Sequence, residues 1–359
     1  MLLTQLETPV LVADADVMDR NMENMMKVLD GKILHLRPHY KSHKCAAIAH
    51  KQMEMGAVGI TCAKLSEAED LVDSGIEDVL IANQIVDPEK LVKAAALAKK
   101  CHLTVCIDDA DNARALSEAA AAAGATVHVF IEYEIGMKRC GVTDPEKYLE
   151  LAKLVVSLPG LVYEGIQAYA GHISHMITEE ERVPKTAENA DRLRALVALL
   201  AENGIKVNTI SGGSTGTSLI KAEQGLYTEL QAGSYFFMDS TYGKLNNLPF
   251  RQSLFLMATV CSKRDGLTVL DAGVKSLGVE QDDPWLVKLD GTPIECERTS
   301  VNEEHLKIFN PKTDLAIGEK ILIIPGHCCS TVNLHNNIYL FRGNKVVDRI
   351  AVSARGCSR

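Results

Sequence analysis

Ile33-Leu34-His35-Leu36-Arg37-Pro38-His39-Tyr40-Lys41-Ser42-His43-Lys44 decides how the rest of the chain is read. A short apolar run passes into a segment in which every residue except Pro38 carries a cationic, imidazole or hydroxyl group. A helical pattern then opens near Cys45-Ala46-Ala47. Strand, polar loop and helix in that order make the repeating unit of an α/β barrel, which presents reactive side chains just beyond its strand ends. Lys41 occupies that position. Like charge from Arg37, His43 and Lys44 would disfavour its ammonium form and favour Schiff-base chemistry. The plainer alternative is a basic surface loop.

The unit repeats. Short apolar runs fall at 33–36, 58–62, 79–82, 103–107, 127–131, 161–169, 207–210 and 235–238. Between them lie helix-periodic stretches at 66–73, 88–100, 112–123, 145–157 and 186–203, several closed by glycine at Gly75, Gly124, Gly160 and Gly204. Parallel strands need crossovers, so eight runs separated by helices predict a (β/α)8 TIM-type barrel over an open doubly wound sheet. An acid-started helix over 14–29 precedes it. From about Leu254 the texture changes: runs at 257–261, 267–270, 321–324 and 337–341 are joined by turns, with Arg342-Gly343-Asn344-Lys345 as a hairpin. The expected α/β architecture is a barrel over 10–240, followed by an antiparallel β domain over 241–359 that also takes 1–9.

Composition narrows the partners. Lys and Arg number 38 against 47 Asp and Glu, a net charge of −9, which argues against nucleic acid and anionic membranes. No apolar run reaches membrane-spanning length. The first nine residues lack a basic start and a sustained apolar core, so they do not read as a signal peptide. Ten cysteines without such a signal suggest reduced thiols and a cytoplasmic protein.

Unusual residues gather after the predicted strands. Glu132-Tyr133-Glu134-Ile135-Gly136-Met137-Lys138-Arg139-Cys140-Gly141 presents Arg139 on a turn, although a surface salt bridge would explain it equally well. In Gln167-Ala168-Tyr169-Ala170-Gly171-His172-Ile173-Ser174-His175, histidines at i and i+3 suit acid–base or orienting work, or simple loop hydrogen bonding. Ser211-Gly212-Gly213-Ser214-Thr215-Gly216-Thr217 matches neither a Walker loop nor a dinucleotide fingerprint, but its amides suit one phosphate; a plain turn is the alternative. Gln231-Ala232-Gly233-Ser234-Tyr235 would complete that site with a tyrosine hydroxyl. Finally, His327-Cys328-Cys329 follows a strand-like run; in an extended segment His327 and Cys329 would share one side, as a metal pair needs.

Together, Arg37-Pro38-His39-x-Lys41-Ser42-His43-Lys44, Gln167-Ala168-Tyr169-x-Gly171-His172, Gly212-Gly213, Gly233-Ser234-Tyr235 with Met238-Asp239, and His327-Cys328-Cys329-Ser330-Thr331-Val332-Asn333-Leu334 resemble a known family. They look like the D-threonine aldolase and D-serine dehydratase group of fold-type III pyridoxal-phosphate enzymes, whose barrel is related to that of alanine racemase. The resemblance implies that Lys41 carries pyridoxal 5'-phosphate as a Schiff base. Ser211, Gly212, Gly213, Thr215 and Tyr235 would hold its phosphate, and Arg139 would lie close to the cofactor. Gln167 and Tyr169 would line the ring, with His172 or His175 as catalytic groups near the substrate. His327 and Cys329 would bind a divalent metal (Zn, Mn or Mg) that holds a β-hydroxyl.

The family is usually a homodimer in which one subunit's β domain closes the other's barrel. The implied activity is metal-dependent cleavage of a small β-hydroxy-D-amino acid, D-threonine giving glycine and acetaldehyde. Alternatives are a D-serine or 3-hydroxyaspartate dehydratase giving a 2-oxo acid and ammonia, an amino-acid racemase, or a non-catalytic pyridoxal-phosphate carrier. Cys329 stands where the threonine aldolases carry Asp, and dehydratases more often pair His with Cys. Thr331-Val332-Asn333-Leu334 resembles the aldolases.

Overall fold

A computed structural model describes all residues, Met1–Arg359. Strand β1 (Val10–Asp14) leads into helix α1 (Ala15–Leu29), whose start is fixed by Asp14. The Asp14 carboxylate accepts the N–H groups of Asp16 and Val17 at 3.0 and 3.1 Å, satisfying donors that have no partner inside the helix. Met18, Met22, Met25 and Leu29 recur at helical spacing and are all buried.

The barrel follows as β2 (His35–Leu36), α2 (Ala46–Glu54), β3 (Ile60–Cys62), α3 (Leu65–Asp73), β4 (Asp78–Gln84), α4 (Pro88–Leu97), β5 (His102–Ile107), α5 (Ala110–Ala123), β6 (Val127–Glu132), α6 (Pro145–Ser157), β7 (Leu161–Ala168), α7 (Glu179–Glu202), β8 (Thr209–Gly212), α8 (Ser218–Gln224) and β9 (Glu229–Leu230). The eight strands pair in the order β2-β9-β8-β7-β6-β5-β4-β3, every ladder parallel. The ring closes between β2 and β3, where Val58 N–H donates to Leu36 O and Thr61 N–H to Pro38 O, both at 2.9 Å.

One strand differs from the sequence reading. The eighth is Glu229–Leu230, and the run 235–238 instead begins as a tight turn, Ser234–Phe236. Tyr235, Phe236 and Phe237 are apolar because they are fully buried beneath α1, not because they lie in the sheet. The true strand escapes an apolar pattern because Glu229 is charged. It faces Arg37, which reaches Glu229 at 2.8 Å and Asp78 at 2.5 Å. Gly59 makes this ion pair possible: a Cβ there would stand 2.1 Å from Arg37 Nη1 and 2.8 Å from Asp78 Oδ1.

The second sheet contains α9 (Ser240–Gly243) at its entry, then β10 (Leu254–Arg264), β11 (Leu267–Leu270), β12 (Trp285–Lys288), β13 (Arg298–Val301), β14 (Leu306–Phe309), β15 (Lys320–Ile324), helix α10 (Cys328–Val332), β16 (Asn337–Arg342) and β17 (Lys345–Ala351). Its main path is β13-β14-β11-β10-β1-β16-β17, with β15 pairing β10 and β12. Every ladder is antiparallel except β1 with β16. The predicted hairpin is present, with Arg342 opposite Lys345 and Gly343 at φ 58°.

Val10–Asp14, read from sequence with the barrel, pairs in this sheet. Leu11, Val12 and Ala13 are buried on both faces, which only an interior strand allows, and Val10 to Ala13 pair with Met257 to Leu254. The two parts share one core, since Cys328, Val332, Ile338, Val352 and Ala354 pack in the same cluster as Tyr40, Cys45 and Met238. That shared burial brings α10 to the C-terminal mouth of the barrel. No helix is long and apolar enough to cross a membrane.

Candidate active site

A cavity of ≈ 180 Å³ opens at the C-terminal ends of the barrel strands. Its walls come from five separate strand-to-helix loops and from the second sheet: Lys41, Arg139, Tyr169, His175, Thr215, Gly233, Ser234, Tyr242 and His327 all line it.

Lys41 stands in one 3-10 turn, Tyr40–Ser42, capped by His39, whose Nδ1 accepts the Lys41 N–H at 3.4 Å. The basic neighbours read from sequence as crowding Lys41 are each committed elsewhere. Arg37 is inside the barrel with Asp78 and Glu229, and Lys44 donates to Glu67 at 2.5 Å. His43 is fully buried: its Nδ1 accepts the Cys45 N–H, so Nε2 carries the proton and donates to Gln52 at 3.2 Å. Burial pushes the His43 imidazole down to about 4. His39 lines the cavity and is also pushed well below its ordinary value, first by burial and then by the Lys41 ammonium.

The glycine loop does two jobs. Ser211 and Gly212 end β8 and support the site from beneath: Gln231 Nε2 donates to Ser211 Oγ at 2.8 Å and to Gln167 Oε1 at 2.6 Å. Gln167 therefore sits one layer below the cavity, and Gln231 faces it. Gly213 adopts φ +77°, which turns the chain so that Ser214 and Thr215 reach the cavity wall. Thr215 Oγ1 accepts the Tyr235 N–H at 2.8 Å, which leaves its own proton for a ligand. The Gly233 N–H makes no hydrogen bond within the chain.

Tyr235 does not offer its hydroxyl here; that group accepts from Gln52 at 3.2 Å in the buried interior, and Tyr235 serves the loop through its backbone N–H. The aromatic cluster that the sequence showed as a strand holds the ring away from the cavity.

On the opposite wall the Arg139 guanidinium lies 5.6 Å from the centre of the Tyr169 ring and 3.7 Å from Glu132 Oε1. Glu132 is buried, which raises its carboxyl, and Gln84 donates to it at 2.7 Å. The two histidines after β7 separate. His175 lines the cavity edge-to-face with Tyr242, ring centres 5.0 Å apart, whereas His172 packs over Gly136 outside the lining. Burial, then the charge of His327, lowers His175.

His327 and Cys329 meet, although not in an extended segment. His327 is the N-cap of α10, and one helical turn folds Cys328 and Cys329 back so that all three ligand atoms lie within 4.8 Å of one another. Asp239, fully buried, organises the group: its Oδ2 accepts from His327 Nδ1 at 2.9 Å and from the Cys328 N–H at 3.1 Å, while Oδ1 caps α9 through the Tyr242 N–H at 2.9 Å. Nδ1 is thus occupied and Nε2 is left for a ligand. Burial opposes charge on His327, but Cys329 and Asp239 outweigh it and raise the imidazole to about 11. The Cys329 thiol is held well below its usual range by the Cys328 hydrogen bond and the His327 charge. Cys329 also approaches Ser42 Oγ at 3.6 Å, next to Lys41.

This donor set fits a divalent metal: a ready thiolate, an imidazole oriented by a carboxylate, and open positions on the cavity side. The remainder fits pyridoxal phosphate: an amine, an aromatic wall, and hydroxyl and amide donors free for an anion. Tyr242 carries no sequence signal of its own, and Gln231 and Glu132 enter their motifs only as flanking residues. Met238-Asp239 enters the family pattern, but only the fold shows which side chain Asp239 orients.

The family profile described as alanine racemase, N-terminal domain, matches residues 13–241, and that of a putative serine dehydratase domain matches 253–341. A D-threonine aldolase from Arthrobacter sp is 39% identical over 99% of this chain and 95% of its own length. Among solved structures, a D-threonine aldolase from Filomicrobium marinum superposes with a TM-score of 0.95 at 39% identity, covering 100% of this chain and 99% of the other. A D-threo-3-hydroxyaspartate dehydratase from Delftia sp. HT23 gives 0.89 at 25% identity, covering 98% of each chain. Variants of that dehydratase replace a histidine and a cysteine two positions apart, the cysteine variant in a metal-free form.

Proposed function

The chain belongs to the family that joins an alanine racemase N-terminal domain to a serine dehydratase domain, and from that premise we propose a pyridoxal-phosphate- and metal-dependent lyase that cleaves β-hydroxy-D-amino acids, D-threonine giving glycine and acetaldehyde. The observation that carries the reading is the convergence of Lys41, His175 and the His327–Cys329 pair on one small cavity.

Lys41 would hold the cofactor through its amine. Thr215, Ser214, Gly233 and Ser234 would take the phosphate, with Ser211, Gly212, Gly213 and Tyr235 shaping that loop from behind. Tyr169 would pack on the ring, Gln231, held by Gln167 and Ser211, would face it, and Arg139 would lie along its edge. Bound there, pyridoxal phosphate supplies an electron sink for the pair released when Cα–Cβ breaks. His327 Nε2 and the Cys329 thiolate would hold the metal, which would supply a Lewis acid for the substrate's β-hydroxyl. His175, whose imidazole is lowered by desolvation, would accept the hydroxyl proton, and Tyr242 fixes its ring edge-to-face. His172 would act at most at the rim. A thiolate ligand favours zinc over manganese or magnesium.

A second reading has specific support. The H-x-C spacing at His327 and Cys329 matches the histidine and cysteine replaced in the Delftia dehydratase, which favours elimination to a 2-oxo acid and ammonia. Pyridoxal-phosphate carriage or racemisation would leave the imidazole–thiolate pair without a task. Ten free cysteines support a cytoplasmic site of action, and Arg139, exposed at the mouth, suits a homodimer in which a partner covers it.

The test is an assay of purified protein with cofactor and Zn²⁺ or Mn²⁺ on D-threonine, D-serine and 3-hydroxy-D-aspartate. Glycine plus aldehyde, lost with EDTA, is the expected product. A 2-oxo acid with ammonia would shift the assignment to the dehydratase.

A further inference from the structure

A second set of ligand-type side chains lies at the opposite, N-terminal mouth of the barrel. His102 opens β5, His128 is the second residue of β6, and Glu164 lies within β7, so three adjacent strands each contribute one group. His102 Nε2 is 3.2 Å and His128 Nδ1 is 3.3 Å from the same oxygen, Glu164 Oε1. Their ligand atoms all fall within 4.8 Å of one another.

Those separations have a simple meaning. Zinc takes nitrogen and carboxylate ligands at about 2.0–2.1 Å in a tetrahedron, whose edge is then about 3.3 Å. Both N···O distances are such edges. The geometry points to a structural divalent-metal site of the zinc class, held by His102, His128 and Glu164, with water completing the fourth position.

Two further observations separate this from a hydrogen-bonded ionic triad. His128 Nδ1 is buried and makes no hydrogen bond, its approach to Glu164 lying off the line a bond requires. An ionic triad leaves that nitrogen with an ion-pair contact to Glu164 and no well-directed hydrogen bond, whereas a metal satisfies it directly. The imidazole rings are also stacked, centres 3.8 Å apart and tilted by 34°. Two imidazoliums that close repel, so at least one ring is neutral and has a lone pair to offer an ion.

Thr104 Oγ1 donates to Glu164 Oε2 at 3.2 Å and His102 Nε2 stands 3.4 Å from the same oxygen, so the carboxylate is held with Oε1 between the two imidazole nitrogens. The side chains are 22–35% exposed, so an ion can enter from solvent. Residues at this end of a barrel serve stability and not chemistry, and here one ion would clamp β5, β6 and β7.

The test uses holoenzyme stripped of metal by chelator, with pyridoxal phosphate retained, then titrated with Zn²⁺ and with Co²⁺. Wild type is expected to bind two equivalents per chain. His128→Asn and, as a second variant, His102→Asn should each bind one, retain aldol cleavage, and lose the rise in Tm that accompanies one of the wild-type equivalents. His327→Asn should also bind one, with a Co²⁺ spectrum from nitrogen and oxygen ligands that lacks thiolate charge transfer. A single wild-type equivalent that His327→Asn abolishes, or two equivalents that survive both His128→Asn and His102→Asn, would overturn the site.

Discussion

Asp239 Oδ2 lies 2.9 Å from His327 Nδ1, and the same carboxylate caps both short helices at the barrel mouth through the N–H groups of Tyr242 and Cys328. One buried anion therefore fixes which nitrogen of His327 faces the cavity, where the cysteines stand, and where Tyr242 meets His175. Groups placed in this way behind a metal ligand set both its tautomer and its direction.

Asp239→Asn is expected to weaken Zn²⁺ or Mn²⁺ binding by about 10–100-fold, because the amide cannot hold the Nδ1 proton as the carboxylate does. The absorbance of bound cofactor should stay as in wild type. Calorimetric metal titration alongside an absorbance spectrum separates the two, and wild-type metal affinity would remove Asp239 from the orienting role.

His175→Asn and His172→Asn should diverge, although sequence spacing treats them alike. His175 shares the cavity with Lys41 and His327, and its replacement is expected to lower kcat by about 10²–10⁴ as loss of a proton acceptor does. His172 packs on Gly136, and its replacement should leave kcat within about threefold, the range of surface changes with no catalytic contact. Steady-state kinetics on both variants decides; equal losses would contradict the assignment.

Gly59→Ala should destabilise the barrel without touching the cavity. The added Cβ would meet Arg37 Nη1 at 2.1 Å and force apart the buried pairing with Asp78, at a cost on the order of 3 kcal/mol. Chemical denaturation of holoenzyme is the measurement, and an unchanged midpoint would mean that Arg37 finds another arrangement.

Stability should fall on acidification through His43. Its imidazole takes a proton near 6.5 when unfolded and at about 4 when folded, because burial disfavours the cation. The unfolded chain therefore binds more protons between those values, and stability rises with pH from 4 to 6.5 and falls as pH drops. Complete acidification would remove roughly 3 kcal/mol. Denaturant midpoints at pH 7 and pH 4.5 should differ less in His43→Gln than in wild type; an equal difference in both would assign the acid sensitivity to other groups.

The alternation of apolar runs and helical stretches was sufficient for the barrel, because a parallel strand must bury both faces and must be followed by a crossover. It failed at Glu229–Leu230, where an interior charge paired with Arg37 breaks the apolar pattern, and at Tyr235–Phe237, where burial beneath α1 imitates a strand. The chemistry-bearing residue types were equally legible: a lysine beyond the first barrel strand, a glycine loop after the seventh, and a histidine and cysteine two apart near the end.

What the sequence could not contain was direction. Arg37 and Lys44 flank Lys41 in the chain yet turn to Glu229 and Glu67. The Tyr235 hydroxyl turns to Gln52, and of two histidines three residues apart only His175 enters the cavity. Asp239, 88 residues before His327, reaches it because α9 and α10 start side by side at the barrel mouth. Local pattern determined which elements form, since each depends on neighbours a few residues away. Which atom faces which depends on partners brought together from distant parts of the chain, and only the packed structure decided that.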